Sequence, residues 1–170
     1  MALALARRDL FRGRFVRPAK VHGLRPPHAL SEDRFAELCD GCAACAPACP
    51  EKVIRLDADR RPVLRFEHGE CTFCTACLEA CPTGALAAEG ARPWTVKAEI
   101  TGKCLTVGGV ACRTCGDACP VSAIKFTPLA DGRWLPVVRD EICTGCGACV
   151  APCPVEAVAV IEPSQSGGNA

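Results

Sequence analysis

Two stretches of the chain alternate apolar and polar residues as half-buried strands do, turn, and alternate again. In the first, Val53-Ile54-Arg55-Leu56 runs into the polar segment Asp57–Arg61, and Val63-Leu64-Arg65-Phe66 follows. In the second, Ala123-Ile124-Lys125-Phe126 leads past the turn signal Asp131-Gly132 to Trp134-Leu135-Pro136-Val137-Val138. Each predicts a short antiparallel hairpin. Pro136 has no N–H to give to a ladder, which puts its strand at an edge. Helical room is scarce. Thr75–Ala80 and Ala148–Val150 leave space for one or two turns before a Cys-Pro pair, and the residue ahead of a proline is pushed out of helical geometry. No stretch approaches the ~18 apolar residues of a membrane-spanning helix.

Around the hairpins runs a repeat of cysteines. Cys39, Cys42, Cys45 and Cys49 form one copy, and Cys71, Cys74, Cys77 and Cys81 a second. Cys104, Cys112, Cys115 and Cys119 form a third, and Cys143, Cys146, Cys149 and Cys153 a fourth, so that all 16 cysteines are used. Pro50, Pro82, Pro120 and Pro154 close the copies. Copies one, two and four read C-x2-C-x2-C-x3-C-P, the run that holds a [4Fe–4S] cluster in bacterial ferredoxins. Cysteines at i, i+3 and i+6 wrap three corners of a cube. The small residues between them (Gly41, Ala43, Ala44, Thr72, Thr75, Ala76, Gly145, Gly147, Ala148) let the backbone bring N–H groups up to the sulfides. A fourth cysteine locked by proline turns away to the neighbouring cluster.

That rule predicts the ligand sets. Cys39, Cys42 and Cys45 take Cys81; Cys71, Cys74 and Cys77 take Cys49; Cys104, Cys112 and Cys115 take Cys153; Cys143, Cys146 and Cys149 take Cys119. Structural zinc uses pairs of C-x2-C and leaves the third cysteine surplus, and disulfides at such spacings would be strained. In copy three the first interval widens to Cys104–Cys112. Gly108-Gly109 allows the loop to bring Cys104 back as a ligand; the other reading is a buried thiol beside a three-ligand site. The expected cofactors are four [4Fe–4S] clusters.

Pairing copies one with two and three with four gives an α+β fold. It comprises two tandem bacterial-type two-cluster ferredoxin modules, small and loop-rich, with short antiparallel hairpins and short helices. Module 1 spans residues 30–90 and module 2 spans 98–162, with Gly90-Ala91-Arg92-Pro93 as linker and 163–170 as a tail. Residues 1–29 make a basic arm: residues 1–30 hold seven basic side chains against Asp9 alone, although the whole chain has a net charge of only +1. Arg7, Arg8, Arg12 and Arg14 are the candidate partner-binding residues, with a solvated tail as the plainer reading. The acidic remainder and the lack of a recognisable binding fold argue against nucleic acid. Arg7-Arg8 has the outline of a twin-arginine signal, but basic residues interrupt the apolar stretch such a signal needs. The cysteine usage then points to the reducing cytoplasm. His22, His28 and His68 show no catalytic spacing, and no nucleotide loop or nucleophile motif is present, so an enzyme is not expected.

The four-copy order, the widened interval in copy three, and Arg7-Arg8…Gly13-Arg14 with Leu24-Arg25-Pro26-Pro27 resemble the NapF family of ferredoxin-type proteins. The resemblance spans nearly the whole chain, with His28 standing where an aromatic residue would follow the two prolines. It implies a cytoplasmic accessory protein of the periplasmic nitrate reductase system. Such a protein associates with the cytoplasmic precursor of the catalytic molybdenum subunit and helps mature its [4Fe–4S] cluster. Two classes of function follow: a maturation factor with one stable client, or a ferredoxin-type electron carrier that docks transiently on several redox proteins.

Overall fold

The computed structural model describes residues 23–91 and 94–162. Among them are four short helices and six strands. The first module contributes α1 (Glu32–Leu38), α2 (Cys45–Ala48), β1 (Ile54–Leu56), β2 (Pro62–Leu64) and α3 (Ala76–Glu79). The second contributes β3 (Lys97–Ile100), α4 (Thr114–Asp117), β4 (Ile124–Pro128), β5 (Trp134–Val138) and β6 (Val158–Ile161). Every sheet is a two-stranded antiparallel pair: β1 with β2, β4 with β5, and β3 with β6.

Both expected hairpins form. Ile54 faces Leu64 and Arg55 faces Val63 across the first, so the buried Ile54 and Leu64 share one face. Phe66 lies beyond this ladder, buried in the first core. In the second hairpin Pro136 pairs with Phe126 on a strand whose only ladder partner is β4, which tolerates the missing N–H. Five elements were not expected: helices α1, α2 and α4, and strands β3 and β6. Helix α1 starts with Glu32 and Asp33, acids suited to a helix N-terminus, and buries Phe35 completely. Strands β3 and β6 bracket the second module, Ala98 facing Val160. The bridge between Ala29 and Leu86 does the same for the first module in miniature. Thr75 and Ala80 cap α3 rather than join it, and Ala148–Val150 is a turn.

The sequence assigns residues up to 29 to the arm, but the chain is already part of the first module by Gly23. The N–H of Leu64 donates to the Leu24 carbonyl at 2.7 Å, and a Cβ on Gly23 would press into Val63. Arg25 is 1% exposed. Its guanidinium binds Glu32 at 2.8 Å, Asp57 at 3.1 Å and the Pro62 carbonyl at 3.0 Å, and lies over the Phe35 ring. A buried charge survives only when paired and hydrogen-bonded, and here both conditions are met by residues of α1 and the first hairpin.

The apolar core is built in two clusters. Phe35, Val53, Ile54, Leu64, Phe66 and Leu86 anchor the first; Ala98, Ile124 and Val158 anchor the second. Thiols belong to these cores: Cys45 in the first, Cys115 and Cys149 in the second. Val150 packs against both, which joins the modules into one body.

Candidate metal centres

The cysteine loops are shaped by left-handed backbone at fixed places. Either side of the second cysteine, copy one has Gly41 and Ala43, copy two has Phe73 and Thr75, and copy four has Gly145 and Gly147, all at positive φ. Two left-handed residues flanking one cysteine curl the loop so that successive side chains face inward. Ala43, Phe73 and Thr75 hold this shape without glycine, at a cost of roughly 1–3 kcal/mol each. After every fourth cysteine the pattern is Cys-Pro-x followed by another left-handed residue: Lys52, Gly84, Ser122 or Glu156. In copies two, three and four an N–H one or two residues past this turn comes back onto sulfur. Ala123 donates to Cys119 Sγ at 3.2 Å, Ala157 to Cys153 Sγ at 3.2 Å, and Leu86 to Cys81 Sγ at 3.4 Å. The Ala98 N–H reaches Cys143 Sγ at 3.5 Å. Neither the left-handed positions without glycine nor these donors stood out in the sequence; the four Cys-Pro pairs were the signal that could have located them.

Three cavities collect the thiols. One is lined by Cys39, Cys42, Cys45 and Cys81, with about 310 Å³ of space. A second, of about 420 Å³, is lined by Cys49, Cys71, Cys74 and Cys77, with Pro26, Pro27 and His28 closing one side. A third, of about 310 Å³, is lined by Cys119, Cys143, Cys146 and Cys149. In each, three cysteines of one copy meet the fourth of its partner. In copy three, Cys104 and Cys153 both act electrostatically on Cys115. The loop from Cys104 is folded on itself: Gly108 N–H bonds the Cys104 carbonyl and the buried Thr106 hydroxyl bonds the Cys112 carbonyl at 2.6 Å.

Electrostatics within the cavities are those of crowded, partly desolvated thiols. Burial, with Cys77, Cys39 and Cys81 nearby, pushes Cys45 up to about 11. Burial with Cys77, Cys49 and Cys74 does the same to Cys71, and Cys149 is driven to about 12. Two thiols move the other way. Burial pushes Cys81 up, but the N–H of Leu86 and the Thr83 hydroxyl more than offset it. The Thr114 hydroxyl and N–H lower half-buried Cys112. Cys42 and Cys74 are exposed, so the first two sites each present one corner to solvent.

The donor sets fit a polynuclear group. Among the described residues no three His, Cys, Asp or Glu side chains converge closely enough to hold a single metal ion. Four thiols stand around each of three spaces instead, with backbone N–H groups donating to sulfur, which suits a cubane rather than a tetrahedral zinc.

Comparison with known proteins agrees. A 4Fe-4S dicluster domain matches residues 38–85 and again 110–157. The ferredoxin-type protein NapF of Escherichia coli K12 is 36% identical over 158 residues, spanning 93% of this chain and 95% of that one. NapF of Haemophilus influenzae is 35% identical over 170 residues, spanning 95% and 97%. The chain belongs to the NapF family. The methylamine utilization ferredoxin-type protein MauM of Methylorubrum extorquens is a further relative, 33% identical over 84% of this chain. As a NapF-family member the protein is a ferredoxin-type [4Fe–4S] protein built on a repeated dicluster domain. The candidate partner-binding residues Arg7, Arg8, Arg12 and Arg14 lie outside the described residues. Among the described residues no helix is long and apolar enough to cross a membrane.

Proposed function

We propose that the chain carries four [4Fe–4S] clusters and serves, in the cytoplasm, as a maturation factor for the periplasmic nitrate reductase. Its client on this reading is the cytoplasmic precursor of the catalytic molybdenum subunit. The holding residues are the four sets given by the exchange of fourth cysteines: Cys39, Cys42, Cys45 with Cys81; Cys71, Cys74, Cys77 with Cys49; Cys104, Cys112, Cys115 with Cys153; and Cys143, Cys146, Cys149 with Cys119. When bound, such clusters supply one-electron chemistry. The protein's own part is to hold sulfur charge with N–H donors, exclude water from the inner thiols, and leave Cys42 and Cys74 at the surface.

The observation carrying the client assignment is kinship along almost the full length with two proteins named NapF, with a further relative, NapG of Escherichia coli K12, 30% identical over 158 residues. Exposed corner thiols equally suit a carrier that passes electrons to several proteins, which is the second reading. Anoxic isolation followed by iron and sulfide analysis tests the clusters; a content matching four cubanes is expected, and zinc in their place sinks the assignment. Binding separates the two readings. A maturation factor forms a stable complex with the cofactor-deficient precursor and releases the mature subunit. Equal, weak binding to both forms, with turnover by a reductase, makes the protein a carrier.

A further inference from the structure

The order of the copies in sequence is not their order in space. Within each module two thiol sets share one core: Cys77 packs against the first core beside buried Cys45, and Cys115 and Cys149 are buried together in the second. Between modules it is copies two and four that meet. The N–H of Cys71 donates to the carbonyl of Cys146 at 2.7 Å, and among the described residues this is the one backbone hydrogen bond from 23–91 to 94–162. Its two ends are cysteines of different sets. Gly147, next to Cys146, lies so close against the Phe66 ring that no Cβ fits there. Trp94 spans the same seam, giving its Nε1–H to the Thr144 carbonyl at 2.8 Å and meeting Phe73 edge-on at 6.0 Å. Thr144 adjoins Cys143 and Phe73 adjoins Cys74, so the contacts fall on the two cluster-binding loops themselves.

Resting on the four-cluster reading, we propose that the chain is a single-file electron relay ordered one, two, four, three. The Cys71–Cys146 hydrogen bond is its central link. The sets of copies one and three are then its ends, with Cys42 exposed at the first. A direct hydrogen bond between ligand backbones, in a seam packed by Phe66 and Trp94, is a short covalent-and-hydrogen-bonded bridge between the second and fourth sites. Each transfer moves one electron: the donating site is oxidised by one and the accepting site reduced by one, and no proton moves or bond breaks. The first electron comes from a low-potential one-electron donor.

The test is electron paramagnetic resonance of the full-length, anoxically isolated protein reduced with dithionite. Four variants, Cys42→Ser, Cys74→Ser, Cys112→Ser and Cys146→Ser, each perturb or empty one site. A neighbour loses its spin–spin broadening where the site is emptied and shows an altered coupling where serine keeps a cluster in place, so either outcome reads on the neighbour. C74S is expected to change the signals of the first and fourth sites, and C146S those of the second and third. C42S changes the second alone, and C112S the fourth alone. A second-site signal unmoved by C146S, or one that responds to C112S, overturns the relay order. Iron and sulfide counts on the unmodified protein keep the two failures apart. Fewer than four clusters refutes the occupancy; four clusters with the wrong neighbours refutes only the relay.

Discussion

Arg25 carries its charge into the core of the first module and meets there two carboxylates, a carbonyl and an aromatic face. Removing it takes the guanidinium away from Glu32, Asp57 and the Pro62 carbonyl and empties the space against the Phe35 ring. Breaking a buried pair this way costs about 3 kcal/mol, and for a chain of this size that is a fall of roughly 6–12 °C in the midpoint of cluster bleaching. Arg25→Lys keeps the charge without the fork and should fall between. Because Pro26, Pro27 and His28 follow directly and close the second cavity, Arg25→Ala should also speed cluster loss there. An unaltered midpoint would contradict the role assigned to Arg25. Asp57 adds a pH dependence. Burial pushes its carboxyl up, but the Arg61 N–H and the Arg25 guanidinium more than offset this and hold it below 3.8. A depressed carboxylate contributes stability above its unfolded pKa, lost as pH falls through the lower folded value. The stability gap between the unmodified protein and Asp57→Asn should therefore be full at neutral pH, and close in acid below about pH 3.9. A gap unchanged from neutrality to strong acid would count against it.

At the scale of elements, alternation made the hairpins legible, because a strand half-buried against a small core must switch faces residue by residue. The meeting of a fourth cysteine with three of its partner copy, seen in three cavities, was legible too, because the proline turns that cysteine away from its own loop. Strands β3 and β6 were not legible, since four-residue strands paired across the whole module leave no local signal. Nor was the end of the arm, where Arg25 reads as one more exposed charge until Glu32 and Asp57 are folded around it. Left-handed Ala43, Phe73 and Thr75 were hidden because the residues usual at such positions are glycine and asparagine. The loop of copy three is where element and site meet. Its extra length raises the entropy of closing the site at Cys104, while Thr106 and the turn bonds at Gly108 and Val110 tie it down. Thr106→Val keeps the shape and deletes the hydroxyl, leaving the half-buried Cys112 carbonyl short of a partner, at about 1 kcal/mol. Chelator titration should show this variant losing the third-copy cluster first, several-fold faster than the unmodified protein. Equal loss of all four clusters would show that the loop does not hold the site.

Over the whole molecule, the thiols that ligate are also part of the core. Cys45, Cys115 and Cys149 are buried members of it, and Cys39, Cys49, Cys71 and Cys77 pack around its edge. Without iron the cavities lose their contents, and metal binding to sites that the unfolded chain lacks is folding free energy. Anoxic chelation should therefore abolish most of the circular dichroism; a near-native spectrum in the iron-free protein would refute this. The basic segment is a separate matter. With Gly23 to Ala29 built into the first module, a clean deletion ends at residue 22 and removes Arg7, Arg8, Arg12, Arg14, Arg17 and Lys20. Those side chains precede a body whose own charge is acidic, and arginine suits bidentate contact with carboxylates on a partner. Charge of this kind speeds encounter more than it tightens a complex. Association with the nitrate reductase precursor should thus weaken with salt, and weaken again when Arg7, Arg8, Arg12 and Arg14 become alanine, with iron content unchanged. Deleting Arg25 along with them would confuse binding with stability, which is why the deletion must stop short of it. Capture of the precursor by the chain lacking residues 2–22, as efficient as by the full chain at low and high salt, would rule the segment out as a docking element.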